Sequence, residues 1–339
     1  MSLEISCGYL HTIQRMADDI WADPMKNNDL ISDVITARAV MENQSVSFGE
    51  LTGTKNDELR VEWLTKCDIE PTECTDDCTI TGEDADPQCK DYKIECLYES
   101  TFKVPLRHYR ERTIEMQQSI AFQKLVHMKA LDERLTQYII AGILTGAGTN
   151  LYPTGGGQGG VGDVHGTITY IAPQYWDDVI WGYFNQVVRL NKFRNPYLIT
   201  GNNLYQLLFN RPLESNNADG SGNFRKLGTL RTYQDPENIE DHAGGQSFLL
   251  HKTAVAFLNK AWNKINPINA EVKAGQYWEW SEESKNLPGV FYDFTLKETC
   301  EGNEFYQAYK IKLHGLFATN PYPCDETNTG VLVFECGTH

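Results

Sequence analysis

The sequence has 339 residues, of which 41% are hydrophobic and 22% charged, and its formal net charge is −16 at pH 7. This length indicates two or three structural units rather than one small core, and the hydrophobic fraction argues against a disordered chain. The negative charge excludes binding to nucleic acid through a broad basic surface, because contacts with phosphates need clustered lysines and arginines.

The first residues lack a basic region followed by an apolar run, so the sequence predicts no secretory signal. No apolar run approaches the roughly 20 residues that a membrane helix needs. We therefore expect synthesis in a reducing cytoplasm, where disulfides are normally absent, and the odd number of cysteines, 9, fits that expectation. Because the sequence begins at Met1, we also expect that no leading segment has been removed.

Residues 1–48 contain short apolar clusters without a long periodic pattern, which predicts an arm that packs on another surface. Within this arm, Ile31, Val34 and Ile35 share one face at helical spacing and predict a short helix. Residues 49–104 then predict two strands with alternating apolar residues, separated by many turn-forming residues. Such a hairpin is marginally stable alone in water, so we expect it to lie on a partner surface.

The longest predicted helix follows Pro105 and contains no proline or glycine from Leu106 to Ala141. It would span about 54 Å, which is typical of either a core helix with a solvated side or a strut. Apolar residues recur along it at spacings of three and four: Ala121, Leu125, Met128, Leu131, Leu135 and Tyr138. Charged residues are predicted on its other faces: Arg107, Arg110, Glu111, Glu115, Lys124 and Glu133.

A glycine-rich stretch at residues 146–162 predicts a mobile loop. It lacks the lysine of a phosphate-binding loop and follows a helix rather than a strand. From Thr167 the pattern alternates between strands ("TITYIA", "PYLITG", "SFLLH") and helices ("PQYWDDVIWGYFNQVVRLNKF", "NNLYQLLFN", "KTAVAFLNKAW"), which indicates helices covering a sheet. After Lys264 strands dominate: "QYWEWSEE", "VFYDFTLK", "FYQAYKIKLHGLFAT" and "GVLVFEC".

Candidate chemical sites are sparse. His108, His127, His251 and His314 have no neighbouring histidine or cysteine at metal-ligand spacing, and we expect each to be structural or exposed. The sequence contains no serine-nucleophile elbow, zinc-protease or phosphate-loop motif. We therefore predict no catalytic, cofactor-binding or metal-binding residues, and no cofactor.

The order of long hairpin, long helix and α/β layer resembles the major capsid proteins of tailed bacteriophages of the Hong Kong 97 type. The resemblance is carried by "RVEWLTKC" with "KIECLYESTFKVPL", by "RHYRERTIEMQQSIAFQKLVHMKALDERLTQYII", by "PYLITGNNLYQLLFN" with "SFLLHKTAVAFLNKAW", and by the closing "YKIKLHGLFATNPYPCDETNTGVLVFECG". It implies an α+β fold with an N-terminal arm, an extended hairpin called the E-loop, a peripheral domain with a spine helix, and an axial α/β domain. The implied bounds are 1–48, 49–104, 105–165 with 266–319, and 166–265 with 320–339.

The function implied by this resemblance is structural rather than enzymatic. The subunit would assemble into hexamers and pentamers of an icosahedral virion capsid in the host bacterial cytoplasm, around double-stranded DNA bound without sequence specificity. Implied partners are the subunit itself, a portal, a separate scaffolding protein and, in some relatives, decoration proteins, with no membrane. Two alternatives stay open: an encapsulin-type nanocompartment shell around a cargo enzyme, and a cytoplasmic α/β enzyme with a long-helix dimer interface.

The stretch "CTDDCTITGEDADPQC" runs from Cys74 to Cys89 and is flanked by Cys67 and Cys96. A zinc site is disfavoured because Cys89 and Cys96 lie too far apart for paired ligands and no histidine is near. The surrounding carboxylates also disfavour the thiolate form. If the hairpin turns at the Thr81–Gly82 junction, Cys67 faces Cys96 and Cys74 faces Cys89, within disulfide range.

Three states of these cysteines stay open: disulfides, free thiols and metal ligands. In the disulfide case, the thiols stay reduced during assembly in the cytoplasm. They then oxidise once the particle leaves the cell, which locks the docked hairpin.

Overall fold

A computed structural model of the chain describes residues 6–44, 47–48, 58–63, 88–109, 112–148, 162–165, 167–171, 179–193, 195–201, 224–227, 230–252, 254–273, 277–302, 304–319 and 329–336. The chain divides into two compact units. The first unit comprises residues 1–39, 94–141 and 257–317, and the second comprises residues 40–93, 142–256 and 318–339.

The helices are α1 (Cys7–Ala22), α2 (Pro24–Asn27), α3 (Ile35–Asn43), α4 (Thr113–Thr145), α5 (Val179–Leu190) and α6 (Pro236–Ala243). The strands are β1 (Ser47–Phe48), β2 (Glu58–Trp63), β3 (Gln88–Lys93), β4 (Glu95–Pro105), β5 (Gly162–His165), β6 (Ile168–Ile171), β7 (Tyr197–Thr200), β8 (Phe224–Leu227), β9 (Leu230–Gln234), β10 (Ser247–Leu250), β11 (Val255–Asn259), β12 (Glu271–Lys273), β13 (Tyr277–Glu283), β14 (Phe291–Glu301), β15 (Glu304–Thr319) and β16 (Val331–Cys336). The structure is thus a mixture of helices and strands, as the sequence predicts.

The first unit is built on a six-stranded sheet in the order β11-β15-β14-β13-β12, with β4 pairing with β15 as well. β14 and β15 pair antiparallel over ten residue pairs, from Tyr292 opposite Leu313 to Glu301 opposite Glu304. The tight connection between them includes Gly302, whose φ of 57° lies in the left-handed region that glycine tolerates. Cross-strand neighbours Trp280 and Phe294 stack with their ring centroids 5.3 Å apart, and both rings are buried.

The long helix α4 has 33 residues and is therefore about 50 Å long. Its predicted apolar stripe is confirmed by burial at five positions: Ala121, Leu125, Met128, Leu131 and Leu135. Tyr138, the sixth, is only partly buried. The helix begins later than predicted, because β4 runs to Pro105 and is followed by a 3₁₀ turn, Leu106–Tyr109.

The N-terminal segment contains a helix that the sequence did not predict. Ser6 caps α1 by accepting a hydrogen bond from the backbone N–H of Tyr9 at 3.2 Å. The helix buries only a narrow stripe, Tyr9, Leu10, Ile13 and Ala17. Because most of the other positions are polar, the helical periodicity of these apolar residues does not stand out in the sequence. The short helix predicted around Ile31 begins at Ile35 instead, and Ile31 is exposed.

The second unit contains a mixed seven-stranded sheet in the order β5-β6-β16-β10-β7-β9-β8. Leu249 of β10 lies opposite Leu198 on one neighbouring strand and Leu332 on the other. These leucines pack in one buried cluster with Phe184 of α5 and Phe334 of β16, whose rings meet edge to face at 4.9 Å. The strands predicted as "TITYIA", "PYLITG", "SFLLH" and "GVLVFEC" are confirmed, whereas "NNLYQLLFN" lies outside the described residues.

The helix predicted at "KTAVAFLNKAW" is wrong, because this segment contains strand β11. Residues 254–258 are all buried, and the run includes Val255 and Phe257, which favour strands. A short continuous apolar run does not distinguish a buried strand from a buried helix by its period. The neighbouring β15 decides the outcome here, since it supplies the hydrogen-bonding partner for an extended segment.

Leu131→Asp should prevent folding, whereas Glu133→Lys should be tolerated. Leu131 is 3% exposed, and an unpaired carboxylate there should lower the free energy of unfolding by at least about 3 kcal/mol. Glu133 is 44% exposed and pairs with Lys129 at 3.7 Å, so its replacement should cost only about 0.5 kcal/mol. Urea unfolding followed by circular dichroism checks both variants, and equal stabilities would contradict the assigned buried face.

Candidate functional site: polar contacts between helix α4 and its sheet

A buried ion pair joins α4 to the sheet of the first unit. Lys124 Nζ lies 2.7 Å from Glu282 Oε2, and the two side chains are 3% and 6% exposed. Lys124 also donates to Gln14 Oε1 of α1 at 2.5 Å, and Trp280 Nε1 donates to Glu282 Oε1 at 2.6 Å. Lys124 was predicted on a face of the helix other than the apolar stripe, yet it is enclosed, because α1 contributes a side chain to this site.

A second buried carboxylate, Asp132, lies two turns further along α4 and is fully buried. It accepts hydrogen bonds from Tyr292 Oη at 2.5 Å, from Ser284 Oγ at 2.8 Å and from Asn286 Nδ2 at 3.1 Å. Burial raises the pKa of Asp132 to about 6, although the three hydrogen bonds oppose that rise. Burial, and then the neighbouring carboxylate, raise the pKa of Tyr292 well above its usual value.

The Asp132 site extends to the N-terminal segment through Asn286. The backbone N–H of Ser32 donates to Asn286 Oδ1 at 3.2 Å, and Asn286 Nδ2 also donates to Leu30 O at 3.3 Å. Arg38 donates to Asn286 O at 3.0 Å. One side chain thus ties the segment before α3, the connection between β13 and β14, and α4 into one network.

Asp293 of β14 organises a third polar site in the first unit. It accepts from Ser281 Oγ at 2.5 Å, its Oδ2 lies 2.8 Å from His314 Nδ1, and the backbone N–H of Trp262 donates to it at 3.1 Å. A serine–histidine nucleophile needs the histidine to take the proton from the serine hydroxyl. Here the serine and the histidine both contact the carboxylate, so these three residues join strands and do not form such a relay.

His127 fixes α4 against β4. Its Nδ1 lies 2.6 Å from Ser100 Oγ, and its ring stacks on Phe102 at 4.9 Å. Phe102 in turn stacks on Tyr309 of β15 at 4.8 Å. Partial burial lowers the pKa of His127, which favours the neutral ring in this stack.

The other predicted histidines are placed as follows. His314 binds Asp293, His251 is buried, and the side chain of His108 lies outside the described residues. Among the residues that the structure describes, no group of three or more His, Cys, Asp or Glu side chains is arranged to hold a metal ion. Of the helices within the same residues, none combines the length and the apolar composition of a membrane-spanning helix.

The strand register differs from the one assumed for the cysteine pairs. Cys89 of β3 faces Glu62 of β2, whereas the predicted register would place it opposite position 74. Cys96 lies in β4 opposite His314 of β15 and is an exposed free thiol, while Cys67 and Cys74 lie outside the described residues. The assumption of one continuous two-stranded ladder is wrong. Of the two strands that follow β2, only β3 pairs with it, and the next strand, β4, pairs with β15 instead.

The pairing of Cys67 with Cys96 and of Cys74 with Cys89 stays a prediction. Non-reducing peptide mapping of the assembled, air-exposed protein should recover both disulfides. Alkylation of all these thiols in denaturant without a reductant would contradict the pairing.

Asp132→Asn should change how stability depends on pH. Because the folded-state pKa is raised from 3.8 to about 6, the folded chain binds this proton more tightly than the unfolded chain. The free energy of unfolding therefore falls as the pH rises from about 4 to about 6. Between about pH 7.5 and about pH 5, the wild type should gain about 1 kcal/mol more than Asp132→Asn, as measured by urea unfolding.

The neighbouring Glu133→Gln is the matched control, since this carboxylate is partly exposed. Its pH dependence should parallel that of the wild type. Parallel curves for Asp132→Asn and the wild type would contradict the raised pKa.

No family model matches the sequence, and no curated protein matches it. Among solved structures, the chain is similar to one from Mycobacterium phage Adephagia, with 13% identity over 99% of each chain and a TM-score of 0.44. It is also similar to a chain of the capsid of cyanophage P-SCSP1u, with 10% identity over 85% of this chain and 86% of that chain and a TM-score of 0.46. The capsid of a native GTA particle contains another similar chain, with 11% identity over 91% of this chain and 92% of that chain and a TM-score of 0.46. With TM-scores below 0.5, the assignment of a function rests on the chain's own architecture.

Proposed function

We propose that this chain is a structural major capsid protein of the Hong Kong 97 type, which assembles with its own copies into hexamers and pentamers of an icosahedral phage head. The observation that carries the proposal is the order of elements in one chain. A hairpin of β2 and β3 in a small separate sheet is followed by the 33-residue α4 on a long-stranded sheet, and then by a mixed sheet with helices. This order matches that of the capsid proteins which the sequence resembles.

The elements take the following roles in this proposal. Residues 1–48 are the N-terminal arm, β2 and β3 belong to the E-loop, α4 is the spine helix, and the seven-stranded sheet is the core of the axial domain. The sheet that carries α4 belongs to the peripheral domain. Strand β1 has only two residues, so the sheet of β1, β2 and β3 is essentially a two-stranded hairpin. Such a hairpin is marginally stable alone and gains stability by lying on another surface, which supports this assignment.

The polar contacts between α4 and its sheet fit a structural subunit better than a catalytic one. Lys124, His127 and Asp132 each bind a partner on the sheet or its connections, so the helix is held against its sheet at three closely spaced points. Buried polar groups with satisfied partners fix one arrangement of the elements that they join. A shell subunit needs such rigidity because it must present the same contact surfaces in every copy.

The charge of the chain supports enclosure of DNA without sequence-specific binding. A net charge of −16 repels the phosphates of a packed genome and discourages adhesion of the DNA to the inner wall. In this proposal the protein is located in the virion capsid and assembles in the host cytoplasm. Its further partners are a portal, a scaffolding protein and decoration proteins.

Electron microscopy of the purified protein tests the proposal. We expect closed icosahedral shells, and particles purified from infected cells should contain nuclease-protected double-stranded DNA. Shells that enclose a protein cargo instead of DNA would identify an encapsulin-type compartment. Discrete dimers without shells would contradict both readings and favour the enzyme.

Shortening the hairpin should separate folding from assembly. Trp63 lies opposite Gln88 in the β2–β3 ladder, so residues 64–87 can be replaced by Asn-Gly, a two-residue turn that joins facing strand ends. The variant should keep the cooperative melt of the wild type by circular dichroism but form no shells in sedimentation and micrographs. A double variant, Asp76→Asn with Asp77→Asn, keeps the segment's length and should still assemble. Shells formed by the shortened variant would contradict an assembly role for this segment.

A further inference from the structure

Strand β4 has one edge that no described strand occupies. It spans 11 residues and pairs along one side with β15, while no strand among the described residues pairs with its other side. The unoccupied side of a strand presents a row of backbone N–H and C=O groups that can pair with another chain. β4 is therefore a template for a further strand of considerable length.

The two faces of β4 have different surroundings. Ser100 and Phe102 contact His127 of α4, so their face is covered by the helix. Glu99, Thr101 and Lys103 alternate with them and are exposed. A strand that is added at this edge would thus continue a sheet whose one face is covered and whose other face carries charges.

The charges of β4 are complementary to themselves in one antiparallel register. If two copies of the strand pair about a two-fold axis at Thr101, Glu99 of each copy lies opposite the partner's Lys103. A register centred on Glu99 or on Lys103 would instead place two like charges opposite each other at the axis, which is destabilising, although the first also brings Glu95 opposite Lys103. The charge pattern therefore favours the register centred on Thr101.

Within a single chain, Glu99 and Lys103 form exposed ion pairs with other residues, and these can be replaced by pairs with a second copy. Lys103 Nζ lies 2.5 Å from Glu301, with side chains 48% and 58% exposed, and Lys310 lies 3.5 Å from Glu99, with side chains 43% and 51% exposed. Exposed pairs of this kind contribute little to stability. They therefore do not prevent Glu99 and Lys103 from pairing across a contact between copies.

We propose that β4 pairs antiparallel with β4 of a second copy, with Thr101 on the two-fold axis, so that the sheets of two subunits form one continuous sheet. The overlap covers residues 97–105, which buries too little area for a stable dimer alone. The contact therefore forms where other contacts already hold two copies together, as in a shell, and to that extent the inference rests on the proposed shell function. The register of the two strands follows from their charges alone.

A cysteine at the axis tests the contact directly. In a Cys96→Ser background, Thr101→Cys places two thiols opposite each other, where Cα atoms are about 4.5 to 5.5 Å apart and a disulfide can form. After mild oxidation of the full-length protein, we expect the tryptic peptide between Lys93 and Lys103 to be recovered as a disulfide-linked homodimer. Lys103→Cys in the same background is the matched control, because two copies of position 103 would lie about 13 Å apart.

A double variant checks the register. With Glu99→Cys and Lys103→Cys in one Cys96→Ser chain, positions 99 and 103 are about 13 Å apart along the strand and cannot link within a copy. A disulfide between positions 99 and 103 must therefore join two copies, and we expect it to form.

Charge variants test the reason for the register. Adding Glu99→Lys to the Cys96→Ser, Thr101→Cys chain should lower the yield of the position-101 disulfide roughly tenfold. Adding Lys103→Glu as well should restore it, with the linked peptide now running from Ser100 to Arg107. A yield that is unchanged by Glu99→Lys would overturn the register.

The outcomes distinguish this contact from the proposed shell function. Particles that assemble without the position-101 disulfide after oxidation would overturn the contact and leave the shell function standing. The disulfide in protein that forms no shells would support the contact and overturn the shell function. Strong linkage through Lys103→Cys together with none through Thr101→Cys would also overturn the contact.

Discussion

The burial of helix α4 against the six-stranded sheet is the interaction on which the first unit depends. Ten apolar residues of the helix are buried, and among them lie two buried charged groups, Lys124 and Asp132. Each charge has partners from elements distant in sequence, Glu282 for the lysine and Ser284, Asn286 and Tyr292 for the aspartate. Since an uncompensated buried charge costs several kcal/mol, the helix, the sheet and the N-terminal segment must take this one arrangement together.

This constraint explains why the N-terminal segment is part of the first unit. Gln14 of α1 accepts a hydrogen bond from Lys124, and Tyr9 donates one to Gln307 of β15 at 2.8 Å. The backbone of Leu30 and Ser32 hydrogen-bonds to the side chain of Asn286. Removal of these residues would leave buried polar groups without partners. The same rigidity makes the exposed edge of β4 a well-defined surface, because His127 and Phe102 hold that strand against α4.

Several elements could be predicted from the sequence because their signals are local. The spacing of Leu125, Met128 and Leu131 identified the helix and its buried face, and the apolar runs "PYLITG" and "SFLLH" identified buried strands. The incorrect predictions arose where a local signal was ambiguous or weak. "KTAVAFLNKAW" fits a helix or a buried strand equally well, and the stripe of α1 is too narrow to stand out among its polar neighbours. For the cysteines, symmetric spacing suggested one continuous hairpin, but Cys96 belongs to a strand that pairs with β15.

The sequence by itself determined the acidic charge, the long helix and several buried strands, because each is set by neighbouring residues or by composition. Only the tertiary structure decided that Lys124 is buried, that Asp132 has a raised pKa, and that β4 pairs with β15 on one side. These properties arise from contacts between residues such as Lys124 and Glu282, which are 158 positions apart. No periodicity within one segment carries information about such partners, since a charged residue in a helix looks the same in sequence whether it meets water or a buried carboxylate.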